Sequence, residues 1–189
     1  MGENSRASQE GGEWFETAFR EHWARVYAVL FRLVGDRAEA EDLALDAFLR
    51  LYHRPPPEAR NGSAGTGTGL SGWLYRVASN LGLNALRARQ RRRRYEEQAH
   101  RLLLEDRPAW DPAGEVEREQ ERQAVRRVLS GMKPRESRLL LLRYSGLSYA
   151  EIAAAVGVAP TSVGALLARA EAEFERRFRE IETDPKPGP

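Results

Sequence analysis

The chain of 189 residues has no cysteine. That excludes a disulfide scaffold, a thiolate metal site and a cysteine nucleophile, and it fits a reducing compartment. Histidine is also scarce. His22, His53 and His100 are the only three, and they fall on separate segments with no metal-ligand spacing and no nucleophile–base arrangement. No run approaches the roughly 18 apolar residues needed to span a bilayer, and the opening MGENSRASQEGGE has no apolar core of a secretory signal. Gly65, Gly67 and Gly69 alternate, but they lack the lysine and the following apolar helix of a phosphate loop. Catalysis, a metal, a cofactor and a membrane are therefore not expected. Net charge is small, +2, yet the sequence pI is near 9.1 and the basic residues are bunched. A local basic patch is implied.

That patch lies in Ser71 to Arg94, which begins with Trp73, Leu74, Tyr75 and Val77 and ends with Arg87, Arg89 and Arg91 to Arg94. At helical period, Trp73, Leu74, Val77, Ala78, Leu81, Ala85 and Ala88 form one stripe. Arg76, Asn80, Leu83, Asn84, Arg87, Gln90, Arg91 and Arg94 form the other. The first stripe calls for a core. The second offers amides and guanidinium groups, which suit base edges and phosphates. A helix with a merely solvated basic face fits the same pattern. Gly82 is the one interruption, a soft point in the track, and Ser71 is placed to cap the start.

Residues 1–12 are small and polar and read as a disordered tail. A helix is expected from Glu13, with Phe15, Phe19, His22, Trp23, Val26, Leu30 and Leu33 inward and Gly35 at its end. Asp36 and Glu39 then resemble an acidic capping box opening a helix to His53. Its polar face carries Glu39, Asp42, Asp46 and Arg50. Acids early in a helix are favoured by the macrodipole, so Asp42 and Asp46 have a structural account as well as a functional one. Pro55 to Pro57 stop this helix, and 58–70 is a Gly-rich loop. The predicted organisation is all-α: a helical domain over 13–98, a linker over 99–118 holding Trp110, a second helical domain over 119–181, and a tail over 182–189.

In the second domain Gly131 ends one helix and Pro134 opens the next. Ser148 and Glu151 stand at capping-box spacing ahead of a short helix with Ile152 and Ala153. Gly157 supplies a turn, and Pro160 opens a last helix with Val163, Leu166, Leu167, Ala170 and Phe174 inward. Two helices joined at a glycine, with the small Ala153 four residues earlier, form the helix-turn-helix pattern, whose second helix is offered to the DNA major groove. An ordinary helical hairpin is the plainer alternative.

GLSYAEIAAAVGVAPTSVGALLARA resembles region 4 of bacterial sigma-70-family factors. LVGDRAEAEDLALDAFLRLYHRPP resembles their region 2.2, and GWLYRVASNLGLNALRARQRRRR their regions 2.3 and 2.4. With regions 2 and 4 alone, the nearest group is the extracytoplasmic-function (ECF) sigma factors. The resemblance implies that Asp42, Asp46, Phe48 and Arg50 bind the clamp coiled coil of the largest subunit of core RNA polymerase. It implies that Trp73, Arg76, Asn80, Asn84, Arg87, Arg91 and Arg94 meet the minus-10 element of promoter DNA, and that Pro160, Thr161, Ser162 and Arg169 read the minus-35 element. It implies a cytoplasmic initiation factor that opens promoters, and an anti-sigma factor is a family expectation that no residue demonstrates. Departures are visible. Leu45-Asp46 stands where Gln-Glu is common, Asn84 where Asp is common, and Gly164, Leu166, Ala168 and Glu171 where the recognition helix is usually basic or polar. A helix-turn-helix regulator, or a polymerase-binding adaptor with weakened DNA reading, are the competing readings.

Overall fold

The computed structural model describes residues 3–57, 68–103 and 113–183. Among these residues there are seven helices and no strand: α1 (Glu3–Val34), α2 (Arg37–His53), α3 (Thr68–Leu103), α4 (Ala113–Gly131), α5 (Pro134–Tyr144), α6 (Tyr149–Val156) and α7 (Pro160–Thr183). The all-α architecture expected from the sequence is the one found. No single helix among the described residues is long and apolar enough to cross a membrane.

Local chemistry sets most boundaries. The Gly35 amide donates to the Phe31 carbonyl, 2.8 Å, and closes α1. Asp36 caps α2, its carboxylate accepting from the Glu39 amide at 2.8 Å. The reciprocal half of a capping box is not formed there, because Glu39 turns to Arg89, 3.8 Å away. At α6 both halves are present: Ser148 Oγ accepts from the Glu151 amide and the Glu151 carboxylate accepts from the Ser148 amide. Gly157 follows with φ +71, a left-handed conformation that a Cβ disfavours, and its amide donates to Ala153. Pro160 begins α7 as expected.

Three expectations are corrected. Helix α1 starts at Glu3, so residues 3–12 continue the helix; no proline interrupts them and propagation needs only one bond per added residue. Helix α3 starts at Thr68, which puts Ser71 inside it and buries it instead of leaving it as a cap. Helices α3 and α4 enter the expected linker from both ends. Residues 104–112, with Trp110, lie outside the described residues, as do 58–67 of the Gly-rich loop.

Helix α3 is the hub. Helices α1 and α2 cover one side of it, and α4, α5 and α6 cover another. Its fully buried residues are therefore Leu70, Leu74, Tyr75, Ala78, Ser79, Leu83 and Leu86, more than one stripe. Leu83, which the helical period places on the polar face, is 1% exposed. Trp73, Val77, Leu81 and Ala85 are partly buried at the edges. The buried apolar side chains make one continuous cluster, from Ala18 and Leu30 through Phe48 and Leu74 to Leu142, Ile152 and Ala170. Along α1 an aromatic ladder of Phe15, Phe19, Trp23, Tyr27 and Phe31 lies at four-residue spacing, with Phe19 and Trp23 stacked at 4.8 Å.

Gly82 is a contact point and not a soft point. A Cβ built there would lie 2.8 Å from Leu33 Cδ2 and 3.1 Å from Leu30 Cδ2. Gly82→Leu should overpack the α1–α3 seam and cost about 1–3 kcal/mol. A lowered urea midpoint with an unchanged m-value checks this; an unchanged midpoint would mean that the seam has slack.

Candidate nucleic-acid and polymerase interface

The residues expected to meet promoter DNA run along α3, and the structure engages three of them with the C-terminal helices. Arg76 Nε donates to the Ala155 carbonyl and Arg76 Nη2 to the Ala154 carbonyl, each at 2.9 Å. Arg87 Nε donates to the Ser130 carbonyl at 3.2 Å, and its Nη2 reaches the Met132 carbonyl at 3.5 Å. Asn80 Oδ1 accepts from Arg138. The last carbonyls of a helix have no partner within it and carry the negative end of its dipole. Arg76 thus caps the C-terminus of α6, and Arg87 that of α4.

The same device recurs across the molecule. Arg126 Nε donates to Leu33 and Arg89 Nη1 to Val34, each at 3.2 Å, closing the end of α1. Arg177 Nη1 donates to Gly131 at 2.8 Å. The Arg126 guanidinium lies where any side chain at position 35 would go. A charge-assisted hydrogen bond of this kind contributes about 1.5–3 kcal/mol, toward the low end where water competes.

Arg138 is half-buried between Arg76 and Arg87. Burial and then those two like charges lower its pKa. On the same seam Arg25 Nη1 pairs with Glu151 Oε1 at 3.0 Å. Burial alone would push the Glu151 carboxyl up. Hydrogen bonds from the Ser148 amide and hydroxyl, with Arg25, outweigh it and hold the group below its ordinary value. His22, close by, is lowered by burial first.

The rest of the α3 face is open. Asn84, Arg91 and Arg94 are exposed. Arg87, Gln90, Arg91 and Arg94 line a shallow groove whose other wall is Ser130 and Gly131. Trp73 is half-buried against the core. On α7, Pro160, Thr161, Ser162 and Arg169 are exposed on the outer face, with Ala165 and Ala168 among them. Beside this face Arg143 lies over the Tyr149 ring, 5.5 Å from its centre, and Tyr149 borders Gly164.

On α2, Asp42 is exposed, and Asp46 is half-exposed and held by Arg50 through two hydrogen bonds of 3.0 and 3.1 Å. Phe48 is corrected: it is 1% exposed and meets Phe15, Phe19 and Trp23, so it supports the face from below and cannot itself touch a partner. The apolar residues on the surface are Leu45, Leu49 and Tyr52, at 42%, 55% and 59% exposure. They recur at four and three, which the sequence does display. Arg25, Gly72, Arg126 and Arg138 had no comparable signal. Among the described residues no group of histidine and carboxylate side chains could hold a metal ion.

Comparison with known proteins locates this arrangement. The family description Sigma-70 region 2 matches residues 18–92, and Sigma-70, region 4 matches residues 122–174. The chain belongs to the sigma-70 family. Within this family several of its relatives are ECF members. It is 34% identical over 145 residues to the ECF RNA polymerase sigma factor SigE of Mycolicibacterium smegmatis, covering 74% of this chain and 51% of the relative. It is 31% identical over 166 residues to the ECF RNA polymerase sigma factor SigG of Mycobacterium tuberculosis, covering 77% of this chain and 43% of the relative. The chain spans about half the length of these curated relatives. Among solved structures, the sigma factor RpoE from Bartonella quintana, crystallised in complex with the anti-sigma factor NepR, aligns with 87% of this chain and 96% of its own, at 20% identity and a TM-score of 0.47. In region 2 terms the exposed Asp42, Leu45 and Leu49 and the half-exposed Asp46 lie on α2 and the arginine row on α3. Region 4 supplies the α6–α7 helix-turn-helix.

The shifted groups on the seam between regions 2 and 4 fix a pH dependence. Glu151 has a depressed folded pKa, so its contribution is present above its ordinary 4.5 and lost as pH falls through the folded value. His22 is likewise favoured neutral, so lowering pH below its ordinary 6.5 also destabilises. Thermal denaturation should show stability falling from neutral as His22 is drawn to protonate and falling further below pH 4.5, and Glu151→Gln should flatten the part below pH 4.5. An identical acid limb in the variant would remove Glu151 from the account.

Proposed function

We propose that the chain acts as an RNA polymerase sigma factor, binding core polymerase and directing promoter recognition and opening. The observation that carries this is the occurrence of regions 2 and 4 in family order, together with an exposed acidic and apolar face on one helix and an arginine–asparagine row on the next. The two-domain division, over 13–98 and 119–181, belongs to the same reading. So do the absence of catalytic activity and a place in the cytoplasm.

The mechanism follows from where each group stands. Asp42 and Asp46 would offer charge, and Leu45 and Leu49 apolar area, to the clamp coiled coil of the largest polymerase subunit. Apolar residues at the centre of such a patch dominate affinity, while exposed charges guide the approach. Asn80, Asn84, Arg87, Arg91 and Arg94 would hold a separated minus-10 strand by amide contacts to bases and guanidinium contacts to phosphates. Extruding bases costs a few kcal/mol per step, which polymerase binding helps to offset. Pro160, Thr161, Ser162 and Arg169 would meet the minus-35 element. Gly164, Leu166 and Ala168 leave that helix few polar contacts, and this favours a second reading, a polymerase-bound adaptor that scarcely reads the minus-35 element. An anti-sigma factor stays a partner implied by the family.

Run-off transcription with core polymerase on a genomic promoter library tests the function. Initiation at defined starts is expected; no initiation on any promoter would refute it. If Thr161→Ala and Arg169→Ala leave promoter choice unchanged, the adaptor reading replaces minus-35 recognition. Leu49→Glu should weaken binding to core polymerase about tenfold or more while leaving the melting temperature unchanged, since the side chain is mostly in solvent. Undiminished binding would move the polymerase face elsewhere.

A further inference from the structure

We infer that the outer face of α7 reads thymine methyl groups, with Ala165 and Ala168 as specificity-determining residues of the minus-35 contact. The inference rests on the sigma-factor reading for the place of α7 on DNA. It deepens that reading by naming the base the helix selects and the atoms that select it.

The site is the helix-turn-helix of α6 and α7, inside the Sigma-70, region 4 match. In such a motif the second helix enters the major groove with its first turns toward the base edges. The side chains left in solvent on those turns are the ones that meet bases. Thr161, Ala165 and Ala168 are exposed at spacings of four and three, so they share one line along the helix. Val163, Leu167 and Ala170 are buried on the other side and hold the helix down. Leu166 is partly buried against the same core. Every side chain on the outer line ends in a methyl group.

A methyl neither donates nor accepts a hydrogen bond. Guanine is read by arginine or lysine, adenine by asparagine or glutamine, and cytosine by a carboxylate. The line carries none of these. The apolar feature of the major groove is the C5 methyl of thymine, and alanine and threonine methyls are its partners. Cytosine in its place would have an amino group stripped of water and left unpaired, which selects against it.

The second observation is what borders the line. By helical period Ser162 and Arg169 fall to one side of it and Gly164 to the other. Beyond Gly164 stands Tyr149, 3.7 Å from where a Cβ at position 164 would lie, with Arg143 over its ring. Arg143 and Arg169 are both exposed. Cations therefore flank an apolar centre, which is the layout of a groove, phosphates at the walls and base edges at the floor. From Thr161 to Ala168 the line runs about 10 Å, or about three base-pair steps.

The test selects duplexes from a randomised pool with the full chain, alone and bound to core polymerase. Each enriched thymine is then replaced by deoxyuridine, which lacks only the C5 methyl. The contacted element should hold two or more T·A pairs within about three or four steps. Deoxyuridine should weaken binding about fourfold at each contacted thymine, the worth of one methyl removed from water. Ala165→Gly and Ala168→Gly should each erase the penalty at one thymine and keep it at another. Should glycine loosen the helix, seen as lost ellipticity, Ala165→Ser and Ala168→Ser carry the same test. Equal binding of thymine and deoxyuridine duplexes overturns the proposal, and so does a penalty that the alanine variants retain. A pool with no enriched duplex overturns it too, since α7 would then read nothing. Run-off transcription separates this proposal from the function it rests on. Initiation without a deoxyuridine penalty sinks the methyl reading alone. A penalty erased by the alanine variants, with no initiation on any promoter, sinks the sigma reading alone.

Discussion

The structure depends on one repeated interaction, an arginine donating to the carbonyls at a helix C-terminus. Arg126 and Arg89 close α1, Arg87 closes α4 and Arg76 closes α6. Each joins helices distant in sequence, and three of them join the two regions: Arg76 and Arg87 reach from region 2 to region 4, and Arg126 reaches from region 4 to Leu33 in region 2. The unpaired carbonyls of a helix end need a donor when they are turned away from water. Supplying one from another helix satisfies that need and fixes the angle between the two. The buried apolar cluster could be shared among several helix arrangements. The guanidinium contacts select one.

That selection bears on function because Arg87 is a promoter-facing residue in the proposed reading and the family resemblance implies the same of Arg76. The donors that dock the helices are the donors a nucleic acid would use. Gly72 and Ala154 allow the backbones close enough for those bonds to form. Structure and recognition therefore draw on one set of atoms, and a change in one state alters the other.

Much of the fold was legible because local chemistry decides it. The three-and-four spacing marked α1, α2 and α7; Gly35 marked the end of α1, and the Ser148–Glu151 box and Gly157 bounded α6. What failed has a common physical cause. A single stripe describes a helix covered on one side, and α3 is covered on two, so Leu83 was assigned to the wrong face and Ser71 to a cap. Phe48 falls on the apolar stripe of α2, and only the resemblance gave it a polymerase contact; its burial against α1 follows the stripe. For the site, Asp42, Asn84, Arg91, Arg94, Thr161 and Arg169 are exposed as their pattern suggested. The engagement of Arg76, Asn80 and Arg87 left no trace in the sequence, because a long side chain reaching a backbone carbonyl imposes no residue type on its partner. Leu45 and Leu49 were visible as a spacing but were overshadowed by the acids beside them.

Because the native chain has no cysteine, a pair of spin labels can be placed without background. Labels at the exposed positions Glu41 on α2 and Ala168 on α7 report the separation of regions 2 and 4 directly. The account predicts one narrow distance distribution in the free protein, and a shift to longer distances when core polymerase and single-stranded DNA are added. A broad distribution in the free protein, or the same narrow distance with polymerase and DNA bound, would contradict it.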